Sequence, residues 1–487
     1  MQNISCPSIP LQQTIIGHAN SEDQNPYKYA TVVCHDEKGL VFSIQDPIYG
    51  HFGFLSHPQQ SNPLQSQLHI QFSQLLFRLL FTCKAISRLA KIHQAGAAWL
   101  WNVSSWNVTR LQHSIGVMLL IRKLKPLDLE QQLAGLLHDI SHTAFSHVID
   151  YMLLNDKDDF HEGIIHEIVN APNSKFYVSE ISKDDASFHI DSILLKMMNP
   201  EESLMDILRE FKMEHVMEKL MDTKTNHYTL LEMEFPQLCA DRIDYTLRDQ
   251  FCYHFHENVV KNDEEFFKII EALKVVSFTC SKFKILNECT DHQQTIPIIT
   301  FDDSHIQQAE YFMELYKQEV VDFFLGLDNL FSNDALAHLL RLCVQEKIIS
   351  VEDMKWGDDE RILSLVQHAV TQFDENSPLA SQNVMNTIRE LFKMFEKRKA
   401  HVLSKKKDDI SNYVRVLSDD ATDVADYSPT RKKRYLDFTI LNNAELTPIS
   451  QCSERAKHLF EIMNSQNNNP IKLKRVNVMD FSESSHQ

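Results

Sequence analysis

"LLHDISHTAFSH", Leu136 to His147, sets three histidines and one aspartate in twelve residues directly after an apolar run. The run belongs to "LDLEQQLAGLLHD", in which Leu129, Leu133 and Leu136 or Leu137 share one helical face, so His138 and Asp139 fall at the helix end. A short turn and a further helix, "SHVIDYMLL", follow. Upstream, "NVTRLQHSIGVMLLIRKL" is apolar all round, which marks a buried helix. It nonetheless carries His113 on a stripe with Val117, Leu120 and Leu124. Downstream, "FPQLCADRIDYTLRD" carries Asp241 in a helix expected within 228–250 and opened by Pro236.

Each of these polar residues has an ordinary explanation by itself. A lone histidine on an apolar face is usually a satisfied core residue, and Asp139 could be a cap. Together they resist that reading, because burying a carboxylate costs several kcal/mol unless it is paired or on a metal. His113, His138, Asp139 and Asp241 make a mixed nitrogen and oxygen set suited to one divalent Mn, Fe, Zn or Mg. Their neighbours suit a phosphate. Arg110 lies one helical turn before His113 and could clamp phosphate oxygens. His142, His147 and His161 could donate to phosphate or act as general acid or base, and Asp150 could orient a histidine. Asp241, Tyr245 and Arg248 recur along one helix with Asp249 beside them. Tyr245 could face a sugar and Asp249 accept from its hydroxyl. An amphipathic face with ion pairs at i,i+4 explains that helix equally well.

The 487 residues allow a large core and more than one domain. Ten glycines and 15 prolines, with long apolar periodicities, point to a mostly α protein with small β-hairpins. A net charge of −19 argues against a general nucleic-acid surface. The nine cysteines lack regular spacing and read as reduced thiols of an intracellular protein. No run is apolar enough for a membrane span, and the first residues do not read as a signal peptide.

The expected organisation is a disordered N-terminus over 1–25, a core over 26–330, a helical extension over 331–399 and a small α+β region over 400–487. A hairpin is expected around "DEKG" and a second over 276–301, with further helices in 160–170, 203–220 and 262–275. "WGDDERILSLVQHAV" reads as a helix behind an acidic N-cap. "TRKKRY" at 430–435 could be a nuclear-import signal or a solvated basic face, which leaves nucleus or cytoplasm open.

"TRLQHSIGV", "LAGLLHDISHTAFSH", "FHEG" and "ADRIDYTLRD" together resemble the HD-domain phosphohydrolase superfamily, and most closely its deoxynucleoside-triphosphate triphosphohydrolase branch. The likeness runs through "DPIYGH" and "SRLAKIHQ", over roughly residues 40–330. It implies an HD-domain helical core with one metal on His113, His138, Asp139 and Asp241, and a further Mg accompanying the nucleotide. Water would attack the α-phosphate of a dGTP-like substrate, releasing deoxynucleoside and triphosphate. Phosphate and acid/base roles would fall on His142, His147 and His161, and basic contacts on Arg110, Arg242 and Lys317. Sugar-reading roles would fall on Gln94, Tyr245 and Asp249. The resemblance also implies a homo-oligomer. Ser141 stands where the branch commonly has glycine, Ala90 and Lys317 where it has arginine, and "LYKQEVVDFFLG" lacks the usual aromatic, histidine and arginine pattern. Two alternatives stay open: a related hydrolase of a nucleoside monophosphate, cyclic nucleotide or alarmone, and a non-catalytic nucleotide sensor.

Overall fold

The computed structural model describes residues 40–55, 63–101, 108–155, 157, 159–179, 198–257, 264–279, 295–324, 327–373, 379–396, 424–425, 434–443, 445–467 and 473–474. It is mostly helical with small two-stranded antiparallel sheets, as the composition implied. The N-terminal 25 residues, the strand-like "NYVRVL" and most of "TRKKRY" lie outside the described residues.

The central helix is Arg110–Leu124, buried along nearly its whole length. Thr109 and Gln112 form a reciprocal cap at its start, satisfying two N–H groups that a helix end leaves open. Helix Leu129–Leu137 packs against it through Gly135. A Cβ at that glycine would lie 3.0 Å from Ile121 Cδ1 and 3.2 Å from the Met118 backbone nitrogen. Ile115, Val117, Leu119, Leu133 and Leu136 join one large apolar cluster here. Full burial of each such side chain is worth roughly 1.5–3 kcal/mol.

Among the described residues the first hairpin follows directly after "DEKG". Leu40–Asp46 pairs with Gly50–Leu55 around a turn at Pro47–Tyr49, whereas the expected turn "DEKG" lies outside the described residues. The turn is held locally. Asp46 Oδ1 accepts from the backbone nitrogens of Ile48 and Tyr49, each at 2.9 Å, and Gly50 takes a φ of +92°. The earlier run Tyr29–Cys34 lies outside the described residues. The second hairpin pairs Leu273–Thr279 with Thr295–Phe301, in line with the sequence reading.

The expected helix over 228–250 is corrected at its start. Tyr228 to Cys239 form turns around a cis Phe235–Pro236 bond, and the helix is Ala240–Glu257. Ala240 and Asp241 donate their N–H groups to the carbonyls of Leu230 and Leu231 at 2.7 and 3.2 Å. That folded-back segment supplies the acceptors that the first helical turn lacks. The expected helix over 203–220 divides into Leu204–Glu210 and Glu214–Leu220, separated by a left-handed Lys212 at φ 57°.

A second apolar cluster joins helix Val148–Leu153 to helices Leu327–Gln345 and Leu379–Glu396. Phe145, inside the opening stretch, is one of its fully buried members. Within 400–487, residues from Tyr435 to Met463 pack into the main cluster. The Phe438 ring lies tilted 5.6 Å from Phe301, and Thr300 Oγ1 donates to the Thr439 carbonyl at 2.5 Å. Among the described residues no helix is long and apolar enough to cross a membrane.

Candidate metal centre

Three helices and one loop deliver the site. His113 comes from the first turn of Arg110–Leu124, His138 and Asp139 from just past the end of Leu129–Leu137, and Asp241 from the first turn of Ala240–Glu257. His113, His138 and Asp139 present ligand atoms within 4.8 Å of one another. Asp241 Oδ1 lies 2.9 Å from His113 Nε2 and 3.4 Å from His138 Nε2. Asp139 Oδ1 is 3.5 Å from His138 Nε2, and its Oδ2 is 3.8 Å from His113 Nε2.

The second nitrogen of each ring is held so that Nε2 faces this cluster. His113 Nδ1 lies 2.8 Å from Asp244 Oδ2. Burial opposes charge on His138 but Asp139 and Asp241 raise its pKa; its Nδ1 lies 2.9 Å from the Gly135 carbonyl, to which it can only donate, so in the neutral ring the lone pair is on Nε2. That Nε2 is buried and has no hydrogen-bond partner. A buried lone pair beside two carboxylates fits a divalent cation, and the backing carboxylate on His113 is the arrangement that fixes a ligating imidazole.

Electrostatics agree with this fit. Burial opposes charge on His113, but hydrogen bonds to Asp241 and Asp244 outweigh it and raise its pKa to about 10. A cation at Nε2 would replace that proton. Burial would raise Asp139, yet Arg110, His138 and His142 hold it well below the usual carboxylate range. Burial would likewise raise Asp241, and His113 and His138 hold it down. Glu232 and Cys239 also approach Asp241. Burial, however, pushes the Cys239 thiol up to about 12, so it stays protonated and is a poor ligand.

His142, His147 and His161 gather beside the cluster and present ligand atoms within 4.8 Å of one another. The rings of His142 and His161 stack at 4.1 Å, and His147 meets them edge-on at 4.8 and 5.3 Å. His142 Nε2 is 3.3 Å from Asp139 Oδ1, which links the two groups. Burial, Arg110 and His161 lower the His142 pKa well below its ordinary value, so the ring is neutral. Arg110 donates from NH1 to Asp139 Oδ2 at 2.7 Å and from Nε to Ser146 Oγ at 2.9 Å.

Other expected site residues have different surroundings. Asp150 Oδ1 accepts from Asn155 Nδ2 at 2.7 Å and from the Phe160 nitrogen at 3.1 Å, and its Oδ2 is 3.9 Å from His147 Nδ1. It therefore fixes the start of helix Phe160–Asn170, which carries His161. Tyr245 lies 6.5 Å from the His113 ring and 6.3 Å from Tyr316. Gln94 is buried, and its Oε1 has no hydrogen-bond partner. Arg242 turns to the Gln237 and Met233 carbonyls and stacks 4.0 Å over Phe235, so its charge supports the turn before the helix. Lys317 pairs with Asp322 at 2.7 Å toward solvent. Asp249 faces Glu319 in the interior, both carboxyls buried.

Asp244 went unnoticed in the sequence, although it stands three residues after Asp241. Its carboxylate is held by Arg248 at 2.8 and 3.0 Å, and Arg248 reaches Asp46 at 2.9 Å. The signal was Gly116, three residues after His113. A Cβ there would lie 2.0 Å from Arg248 NH2 and 2.1 Å from Asp244 Oδ1.

A family model for the HD domain matches residues 110–211, which contain His113, His138, Asp139 and the three clustered histidines. This stretch of the chain carries an HD domain. It is 38% identical over 275 residues to "Uncharacterized protein YdhJ" of Bacillus subtilis, covering 56% of this chain and 66% of that protein. It is 34% identical over 164 residues to "Metal-dependent phosphohydrolase cns2" of Cordyceps militaris, covering 34% of this chain and 37% of that protein. It is 28% identical over 191 residues to "Uncharacterized protein MG461 homolog" of Mycoplasma pneumoniae, covering 37% and 40% of the two chains. In each case the similarity spans less than two thirds of the relative.

Proposed function

We propose that this chain is a metal-dependent phosphohydrolase acting on a nucleotide, with deoxynucleoside triphosphates as the leading substrate class. The observation that carries the reading is the meeting of Asp241 with His113, His138 and Asp139, whose Nε2 and carboxylate atoms converge from three helices. The similarity to a protein named a metal-dependent phosphohydrolase supports the reaction class. Binding of a divalent cation by these four residues would supply Lewis acidity at the phosphoryl oxygen and make a water more acidic.

The chain's own residues account for the remaining tasks. The Arg110 guanidinium stands at the edge of the cluster, on Asp139, where it can orient a phosphoryl oxygen and offset charge developing there. Neutral His142 can accept a proton or donate one to a departing oxygen. His147 and His161 extend a line of imidazoles that can hold further phosphate oxygens. Tyr245 offers a ring face for the sugar, close to His113.

A second reading, hydrolysis of a nucleoside monophosphate, is favoured by Arg242 and Lys317. Their charges are directed to backbone carbonyls and to Asp322, which leaves less positive charge for a triphosphate. Product analysis separates the readings. Full-length protein with manganese, given each dNTP and each nucleoside monophosphate, should release triphosphate from a dNTP. Orthophosphate from a monophosphate would establish the second reading, and no product from any nucleotide would sink both.

A further inference from the structure

We propose that Asp359 is a positioning residue of this site, contributed by the helical extension that lies outside the HD-matched residues. The inference rests on Asp139 and its neighbours being the metal centre. Asp359 is fully buried, and its carboxylate reaches back across the sequence to two site segments. Its Oδ1 accepts from the Phe145 backbone nitrogen at 2.6 Å. Its Oδ2 accepts from the His93 backbone nitrogen at 3.0 Å and from His93 Nδ1 at 2.8 Å.

Capping its own helix does not explain this carboxylate. Helix Asp359–Gln372 is capped by Asp358, whose Oδ1 accepts from the Arg361 nitrogen at 2.9 Å. The adjacent aspartates divide the work, one closing the helix start and the other turned into the site. The segment it holds needs holding. Phe145 and Ser146 sit consecutively at φ 60° and 54°, a left-handed conformation that residues other than glycine seldom adopt and that persists where surroundings enforce it. The same stretch of the extension grips the loop twice more. Ala144 donates to the Met354 carbonyl at 3.0 Å, and Arg88 bridges the Lys355 and Ile140 carbonyls at 2.6 and 3.2 Å.

From Asp359 a continuous chain of hydrogen bonds leads to the metal-side carboxylate. Asp359 holds His93, and the His93 carbonyl accepts from Ser146 Oγ at 2.7 Å. Ser146 Oγ accepts from Arg110 Nε at 2.9 Å, and Arg110 NH1 donates to Asp139 at 2.7 Å. The left-handed turn lies between His142 and His147, so loosening it moves both histidines relative to Asp139. Asp359 touches neither metal nor substrate and acts through these groups.

The test uses the full chain with Asp359→Ala, Asp359→Asn and, as a control, Glu360→Gln, whose parent, the partly exposed carboxylate of Glu360, pairs with Lys91 at 3.1 Å. Three quantities are read per folded chain: kcat and KM on the best nucleotide of the product panel, manganese affinity, and amide exchange of the 140–147 segment. Asp359→Ala should lower kcat about 10–100-fold, the usual cost of losing an outer support, while KM changes about twofold or less. Exchange at Phe145 should accelerate. Asp359→Asn retains an acceptor for Phe145 and should recover part of kcat, and Glu360→Gln should match the parent. Unchanged kcat per folded chain and unchanged exchange in both Asp359 variants would overturn the proposal, as would an equal loss in Glu360→Gln. A parent protein that turns over no nucleotide refutes the phosphohydrolase reading alone, since faster exchange at Phe145 in Asp359→Ala still establishes the positioning role. If Asp359→Ala does not fold, Asp359→Asn gives the same readings.

Discussion

At the scale of single residues, the site depends on a carboxylate that supports a ligand and on a glycine that makes room for it. Asp244 holds His113 Nδ1, Arg248 holds Asp244 and Asp46 holds Arg248, all in the interior. Asp244→Asn should leave the fold in place and weaken manganese binding about 10–100-fold in a metal titration. An unchanged affinity would mean that His113 needs no such support. Gly116→Ala introduces a Cβ into the space that Arg248 and Asp244 occupy. Breaking that buried pair should cost about 3–5 kcal/mol in a denaturant melt. His113, His138, Asp139 and Asp241 were legible in the sequence because each is polar where burial is expected. Asp244 was not, because an acid three residues after another acid on an amphipathic helix reads as an ordinary polar face.

At the scale of elements, helix Ala240–Glu257 is joined to the π-helical turn Gln318–Phe324 by two buried acids. Burial pushes Asp249 up, against the opposing influence of the neighbouring Glu319 carboxyl and the charge of His113. Burial and the charge of Asp249 push Glu319 well above its usual range, so Glu319 keeps its proton beside Asp249. Both folded pKa values stand above those of the unfolded chain. The favourable contribution of the pair is therefore complete below about pH 4, where unfolded carboxyls are protonated, and is lost as pH rises toward the folded values. Glu319→Gln removes one titrating group, so its stability should decline less between about pH 5 and pH 8 than that of the parent in urea melts. Parallel declines would show that the pair is not coupled to folding. The sugar role expected for Asp249 has to act from this interior pair. Element boundaries were read less well than element types. The helix start moved from Pro236 to Ala240 because carbonyls of Leu230 and Leu231, distant in pattern terms, supply its first acceptors. The hairpin turn formed by the Asp46 side chain and Gly50 was not read from the sequence, because "QDPIYG" lacks the polar run that marks a turn by composition.

At the scale of the whole molecule, two apolar clusters meet at the opening stretch. Leu136 and Leu137 belong to the larger one and Phe145 to the smaller, so the histidine loop spans the seam between them. The periodicity of residues 331–399 identified helices there. It carried no sign that Met354 and Asp359 would grip a loop more than 200 positions away in sequence, since such contacts follow from packing and not from local pattern. The strand and helix of 439–467 likewise complete the main cluster, through Phe438, Ile440 and Ile449. The central claim is that His113, His138, Asp139 and Asp241 form one divalent-cation site. Manganese content per folded chain, measured by elemental mass spectrometry for the parent and for Asp139→Ala after identical loading and desalting, tests it most directly. The account predicts about one ion per parent chain and close to none in the variant. Equal content in the two proteins would contradict it.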